Sequence, residues 1–164
     1  MTENAPLATT TMKSPVGVLR LYANEEALVA ILWENEKPGR VRLAPALPRA
    51  NHPILRESVR QLKEYFAGKR TAFDLPLGPV GTPFQKKAWQ ALRRIPFGET
   101  RSYADQAKRI GNPKACRAVG AANGRNPLSI VVPCHRVIGA NGSLTGFAGG
   151  EAVKRALLEL ERRT

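Results

Sequence analysis

A chain of 164 residues, 43% of them hydrophobic, can bury a core of its own, which excludes a bare peptide or a disordered segment and leaves one compact body or two small lobes. It holds no apolar run of about 18 residues and no charged-then-apolar leader in MTENAPLATTTMK, so a cytoplasmic protein with no membrane partner is expected. Two cysteines and two histidines are too few for a disulfide framework or a structural zinc, so no metal is expected, and the net charge of +13 is uneven: residues 81–164 hold 15 Lys and Arg against 5 Asp and Glu, residues 1–80 hold 11 against 8.

After a polar start, Val16 to Tyr22 and Ala27 to Trp33 are short apolar segments separated by Asn24, Glu25 and Glu26, which predicts a hairpin. Arg40 to Leu43 adds a candidate strand, and Ala44 to Pro53, with three prolines, reads as irregular. Leu55, Val59, Leu62 and Phe66 then recur at helical spacing before Gly68 stops the helix. This first lobe carries no chemistry-bearing cluster and reads as a scaffold. Pro76 to Pro83 marks the expected boundary between lobes.

Thr82, Pro83 and Gln85 supply a cap, a first-turn proline and a capping-box partner for a helix whose Phe84, Ala88, Leu92 and Ile95 face one way until Pro96 ends it. Ser102 and Asp105 predict a second capping box on a short helix stopped by Gly111, and Asn112-Pro113 predict the start of another helix through about Ala122. Two short helices across a glycine turn form a helix-turn-helix pattern. In the second helix Ala115, Ala118 and Ala122 predict a face with little side-chain bulk, flanked by Lys114, Arg117 and Arg125. Such a face either approaches a DNA groove or packs into a core; the positive charge of this half favours DNA, because neutralising phosphates releases counterions.

Leu128 to Val132 reads as a buried strand that delivers the chain into Pro133-Cys134-His135-Arg136. Positive neighbours favour a thiolate at Cys134, which is nucleophile chemistry, although a lone cysteine is more often a small buried hydrophobe, as Cys116 illustrates. The Cys-His pair alone is equally compatible with a thiol hydrolase or a redox sensor.

The run Pro133-Cys134-His135-Arg136-Val137-Ile138, with Gly111-Asn112-Pro113-Lys114, Arg117-Ala118-Val119-Gly120 and Asn123-Gly124-Arg125-Asn126-Pro127 ahead of it, closely resembles the O6-alkylguanine-DNA alkyltransferase family. The likeness extends from about Thr82 to Glu161, and more weakly to Ser14-Pro15-Val16-Gly17. It implies an α+β (α/β) fold: an N-terminal lobe, residues 1–80, with a ribonuclease-H-like antiparallel sheet plus a helix, and a mostly helical C-terminal lobe, residues 81–164, with a winged-helix-like helix-turn-helix. The implied activity is direct-reversal DNA repair, in which an alkyl group moves irreversibly from O6-alkylguanine in double-stranded DNA to Cys134, once per molecule and without a cofactor. The resemblance implies activation of Cys134 through a water by His135, itself oriented by Glu161. Asn126 matches a hinge asparagine, Arg117 the arginine that enters the duplex in place of the extruded nucleotide, and Tyr103 the tyrosine that rotates a phosphate and donates to the damaged base.

Further implied positions line the base pocket. The backbone at Cys134 and Val137 accepts from the guanine amino group, the Ala148 amide donates to O6, Lys154 lies at the end of the wall, and Phe147 stands where tyrosine is frequent. Gly139 is expected to leave space for groups larger than methyl. A monomer is expected; cooperative binding on DNA, preferred alkyl size and repair of O4-alkylthymine stay open.

Three rivals compete with this reading. A lesion-binding sensor that transfers nothing is disfavoured because Cys134 is present. A methyl-sensing regulator is disfavoured because residues 1–80 contain no cysteine for its zinc site, and a thiol hydrolase is disfavoured by the basic second half.

Overall fold

The computed structural model describes residues 5–144 and 146–163, and the chain divides into two compact units between Val80 and Gly81. In the first unit, β1 (Leu7–Met12), β2 (Leu19–Ala23), β3 (Leu28–Leu32) and β4 (Ala46–Pro48) form a sheet of order β3-β2-β1-β4, with helix α1 (Pro53–Phe66) following. The expected hairpin is β2–β3, and Asn24 shapes its turn by accepting from the Glu26 and Ala27 amides at 2.8 and 2.7 Å.

The polar start of the chain, to which the sequence assigned no element, supplies β1. Its Leu7, Ala8 and Met12 are buried, and the hydroxyl of buried Thr9 donates to the Leu21 carbonyl at 2.8 Å. Arg40 to Leu43 form no strand; Arg40 is instead tied to Glu36 at 2.9 and 2.6 Å, and the added strand is β4, inside the proline-containing stretch. Because β4 runs parallel to β1 while β1–β2 and β2–β3 are antiparallel, the sheet is mixed rather than antiparallel throughout. Helix α1 buries Leu55, Ser58, Gln61, Leu62 and Tyr65, while the expected Val59 and Phe66 are only partly buried. Gln61 explains the rotated face: its amide group pairs in both directions with the backbone of Asp74 at 2.9 Å, so a polar residue occupies a core position with its hydrogen bonds met.

The second unit comprises α2 (Pro83–Arg93), β5 (Arg101–Ser102), α3 (Tyr103–Arg109), α4 (Cys116–Gly124), β6 (Val137–Ile138) and α5 (Glu151–Arg163), with β5 and β6 paired in parallel. Thr82 and Gln85 form the expected capping box on α2, a device worth about 1 kcal/mol. Only half of the second box is made. The Ser102 hydroxyl accepts from the Asp105 amide at 3.1 Å, but the Asp105 carboxylate turns to Arg109 at 3.1 Å.

Helices α2, α3 and α4 enclose Ala91, Ala107, Ile110, Ala115 and Val119, with Phe84 and Tyr103 packed against them. Buried amides join them at fixed angles: Gln106 and Asn123 exchange bonds of 2.9 and 2.8 Å, and the Trp89 indole donates to the Ala122 carbonyl at 2.8 Å. The turn between α3 and α4 passes through Gly111 at φ +83°, where glycine escapes the steric cost of a β-carbon. Helix α4 begins at Cys116, not at Asn112-Pro113, and Ala115 is its cap without a side-chain bond.

Candidate active site

The path to Cys134 starts at the end of α4. Asn126, 1% exposed, donates through Nδ2 to the Val132 carbonyl at 2.8 Å and accepts the Leu128 amide on Oδ1 at 2.9 Å. These bonds close a tight buried turn over Leu128 to Val132, where a strand was expected, and the Val132 amide returns to the Leu128 carbonyl at 2.8 Å. Apolar runs of five residues do not by themselves distinguish a strand from a buried turn. Within it Ile130 has φ +77°, a conformation that a β-branched residue adopts only when its surroundings hold it there.

A single 3-10 turn, Cys134–Arg136, follows, and all three side chains are buried. His135 Nε2 lies 2.6 Å from Glu161 Oε2 of α5. The carboxylate fixes the proton on Nε2, which leaves Nδ1 with a lone pair, and Nδ1 meets no protein partner. Burial pulls the imidazole below its ordinary pKa more strongly than the bond to Glu161 raises it, so His135 is neutral at physiological pH and able to take a proton. Arg136, for which the sequence suggested only a positive charge near the thiol, turns away to Glu161 and to the Ile95 carbonyl.

Tyr103 opens α3 half-buried; burial, and secondarily the negative charge that Cys134 can carry, raise its pKa and keep the phenol protonated. Lys154 of α5 is 1% exposed, donates to the Val137 carbonyl at 2.6 Å and sits 5.7 Å from the centre of the Phe147 ring. Burial lowers its pKa and the Cys134 charge opposes that shift, so both side chains sense the thiol. Phe147 and Ala148 are partly buried in the loop before α5. Gly139 does not open space: a β-carbon there would lie 2.9 Å from Asn141 Oδ1 and 3.1 Å from Ser143 Cβ, inside a tight turn.

The slim face of α4 is also composed differently from expectation. Ala115 and Ala122 are buried, whereas Arg117, Ala118, Ala121 and Arg125 are exposed, as is Lys114 just before the helix. Ala121 was missed because the pattern was counted from Ala115, which lies outside the helical turns. Among the described residues, no three His, Cys, Asp or Glu side chains converge where a metal would bind, and no helix is long and apolar enough to cross a membrane.

Sequence profiles described as "6-O-methylguanine DNA methyltransferase, ribonuclease-like domain" and "6-O-methylguanine DNA methyltransferase, DNA binding domain" match residues 7–79 and 83–163. The chain is 52% identical to the methylated-DNA–protein-cysteine methyltransferase of Methanosarcina acetivorans, over 91% of this chain and 94% of the relative. It is 51% identical to the constitutive methyltransferase of that name from Bacillus subtilis, over 93% and 94%. The solved structure of Mycobacterium tuberculosis OGT in complex with DNA superposes with a TM-score of 0.85 at 47% identity, covering 95% of this chain and 93% of the other. The chain belongs to the 6-O-methylguanine DNA methyltransferase family.

Proposed function

We propose that this chain repairs O6-alkylguanine in double-stranded DNA by direct reversal, moving the alkyl group to Cys134 in one irreversible turnover, in the cytoplasm. The observation that carries the reading is a buried imidazole, fixed by Glu161 at one nitrogen and unpartnered by protein at the other, next in the chain to a buried cysteine. The second unit is the DNA-binding and transfer lobe and the first its scaffold.

The exposed α4 face bears on DNA: Arg117 fills the gap left by the extruded nucleotide, Lys114 and Arg125 meet phosphates, and Ala118 and Ala121 permit close approach. Extrusion costs a few kcal/mol, which contacts to the flipped base and its gap must offset. Val137, Phe147, Ala148 and Lys154 surround the base, and the Val137 carbonyl, already bonded to Lys154, keeps a second lone pair for the guanine amino group.

The thiol proton passes through a water to His135 Nδ1. The sulfur attacks the alkyl carbon, the carbon–oxygen bond breaks with its electron pair left on guanine, and the Tyr103 hydroxyl supplies the proton that guanine needs to leave. The proton held by His135 restores the phenol through solvent. The resulting thioether has neither the charge of a thiolate nor an easy leaving group, so Cys134 is not regenerated.

Intact-protein mass spectrometry after mixing with duplex DNA carrying one O6-methylguanine tests this. A gain of one methyl group on Cys134, absent in C134A, is expected; lesion binding without mass gain would make the protein a sensor instead.

A further inference from the structure

Arg136 is a buried arginine for which the transfer scheme above has no use. Its Nε and one terminal nitrogen grip the two oxygens of Glu161 at 2.8 and 3.1 Å, and the other terminal nitrogen donates to the Ile95 carbonyl at 2.7 Å. Its guanidinium centre stands 5.6 Å from the centre of the Phe97 ring. One planar group thus ties the segment after α2 to the carboxylate that orients His135. A lysine carries the charge but not the fork, and does not reproduce this set of bonds.

The electrostatics give that tie a second consequence. A buried carboxylate alone beside an imidazole stabilises imidazolium and so removes the base that the thiol needs. The groups acting on His135 are Glu161 and Lys154 from α5 and Arg136 from its own turn, while α2, also packed on that turn, turns Lys86, Lys87 and Arg93 to solvent. Two cations therefore stand against one anion. Of the two, Arg136 is the one bonded to the anion itself.

We propose that Arg136 is a positioning residue for alkyl transfer, holding Glu161 against His135 Nε2 and offsetting its charge so that the imidazole remains a base. The proposal rests on the transfer reading. It assigns Arg136 no contact with DNA or with the reacting atoms; its effect passes through Glu161.

The test measures single-turnover methyl transfer from O6-methylguanine duplex DNA against pH in the full chain, R136K and R136M, with nitrogen-15 NMR of the His135 ring alongside. In R136M the acid limb of the rate and the ring titration should move together to higher pH by about one unit, and R136K, which keeps the charge, should recover part of that shift. A rate lowered by the same factor at every pH, with an unmoved ring titration, overturns the proposal and leaves Arg136 a structural strut. Should R136M not fold, R136K and the unmodified chain still decide: a His135 ring found protonated at neutral pH in the unmodified chain is incompatible with it. Failure of the unmodified chain to transfer methyl overturns the functional reading itself; transfer with unshifted variants overturns the role of Arg136 alone.

Discussion

Replacing Asn126 by alanine removes two buried hydrogen bonds at once: it leaves the buried Leu128 amide without its Asn126 acceptor and the Val132 carbonyl with the Cys134 amide at 2.8 Å as its remaining donor. The orphaned amide costs about 1–3 kcal/mol and the lost bond to the carbonyl about 0.5–1.5 kcal/mol, so N126A should lose roughly 2–4 kcal/mol. For a chain of this size that lowers Tm by on the order of 10 °C. The turn these bonds close also holds Ile130 at φ +77°, a conformation costing about 1–3 kcal/mol that relaxes once the clamp is gone. Relaxation displaces Cys134, only a few residues on, and misplacement by about 1 Å costs on the order of a hundredfold in rate. The assay is urea unfolding followed by Trp89 emission in a W33F background, since the chain has two tryptophans and Trp89 is bonded within the second unit, together with single-turnover transfer. N126D separates the two bonds: it keeps the acceptor for Leu128 but sets a carboxylate oxygen against the Val132 carbonyl, and should be no more stable than N126A. A loss below about 0.5 kcal/mol, or transfer by N126A within about twofold of the unmodified chain, would refute the reasoning.

Four further outcomes are expected. Because His135 binds protons less tightly folded than unfolded, its contribution to stability is complete above about pH 6.5 and is lost as pH falls toward and through the folded-state value; urea midpoints across that window should fall, and H135Q should flatten the dependence. Arg117 is exposed, so R117A should unfold within about 0.5 kcal/mol of the unmodified chain yet lose transfer from duplex DNA while keeping slow transfer from free O6-methylguanine; equal loss on both substrates would remove Arg117 from the flipping step. A121L should weaken duplex binding in a gel-shift titration without lowering stability, and unchanged affinity would show that α4 does not approach the groove closely. G120A should stabilise the chain by roughly 0.5–1 kcal/mol in the same urea assay, because the added methyl meets the Tyr103 ring at an ordinary 3.8 Å while the helix gains a better former; destabilisation would mean that the ring cannot accommodate it.

Much of this was legible in the sequence where a local rule has few competitors. Thr82-Pro83 with Gln85 specifies a helix start by hydrogen bonds within four residues, and the apolar segments on either side of Asn24, Glu25 and Glu26 specify a hairpin. Strand β1 was hidden because three consecutive threonines look polar, although Thr9 is buried with its hydroxyl bonded to a neighbouring strand. Strand β4 was hidden because proline argues against pairing, yet Pro48 ends an edge strand where its missing amide does no harm. At the site, Pro133-Cys134-His135 pointed to the proposed nucleophile. The inward turn of Arg136 was not visible, since an arginine beside a cysteine reads as exposed charge until Glu161, 25 residues later, is brought against it. Gly139 misled for the complementary reason: a missing side chain says nothing about which neighbour fills the space.

Helix α4 is short, has glycine at 120 and 124, and begins without a side-chain cap. Each glycine disfavours a helix by about 1 kcal/mol relative to alanine, and helices shorter than about 12 residues are marginal in isolation. Its order comes from outside itself: the Trp89 indole on the Ala122 carbonyl, the Gln106–Asn123 exchange, and Val119 in the shared core. Fraying of α4 on its own would break those bonds, so its amides should exchange with solvent only when the second unit opens as a whole. The exposed arginines are consequently presented on a surface already set before any contact, and binding need not include an ordering step for this helix.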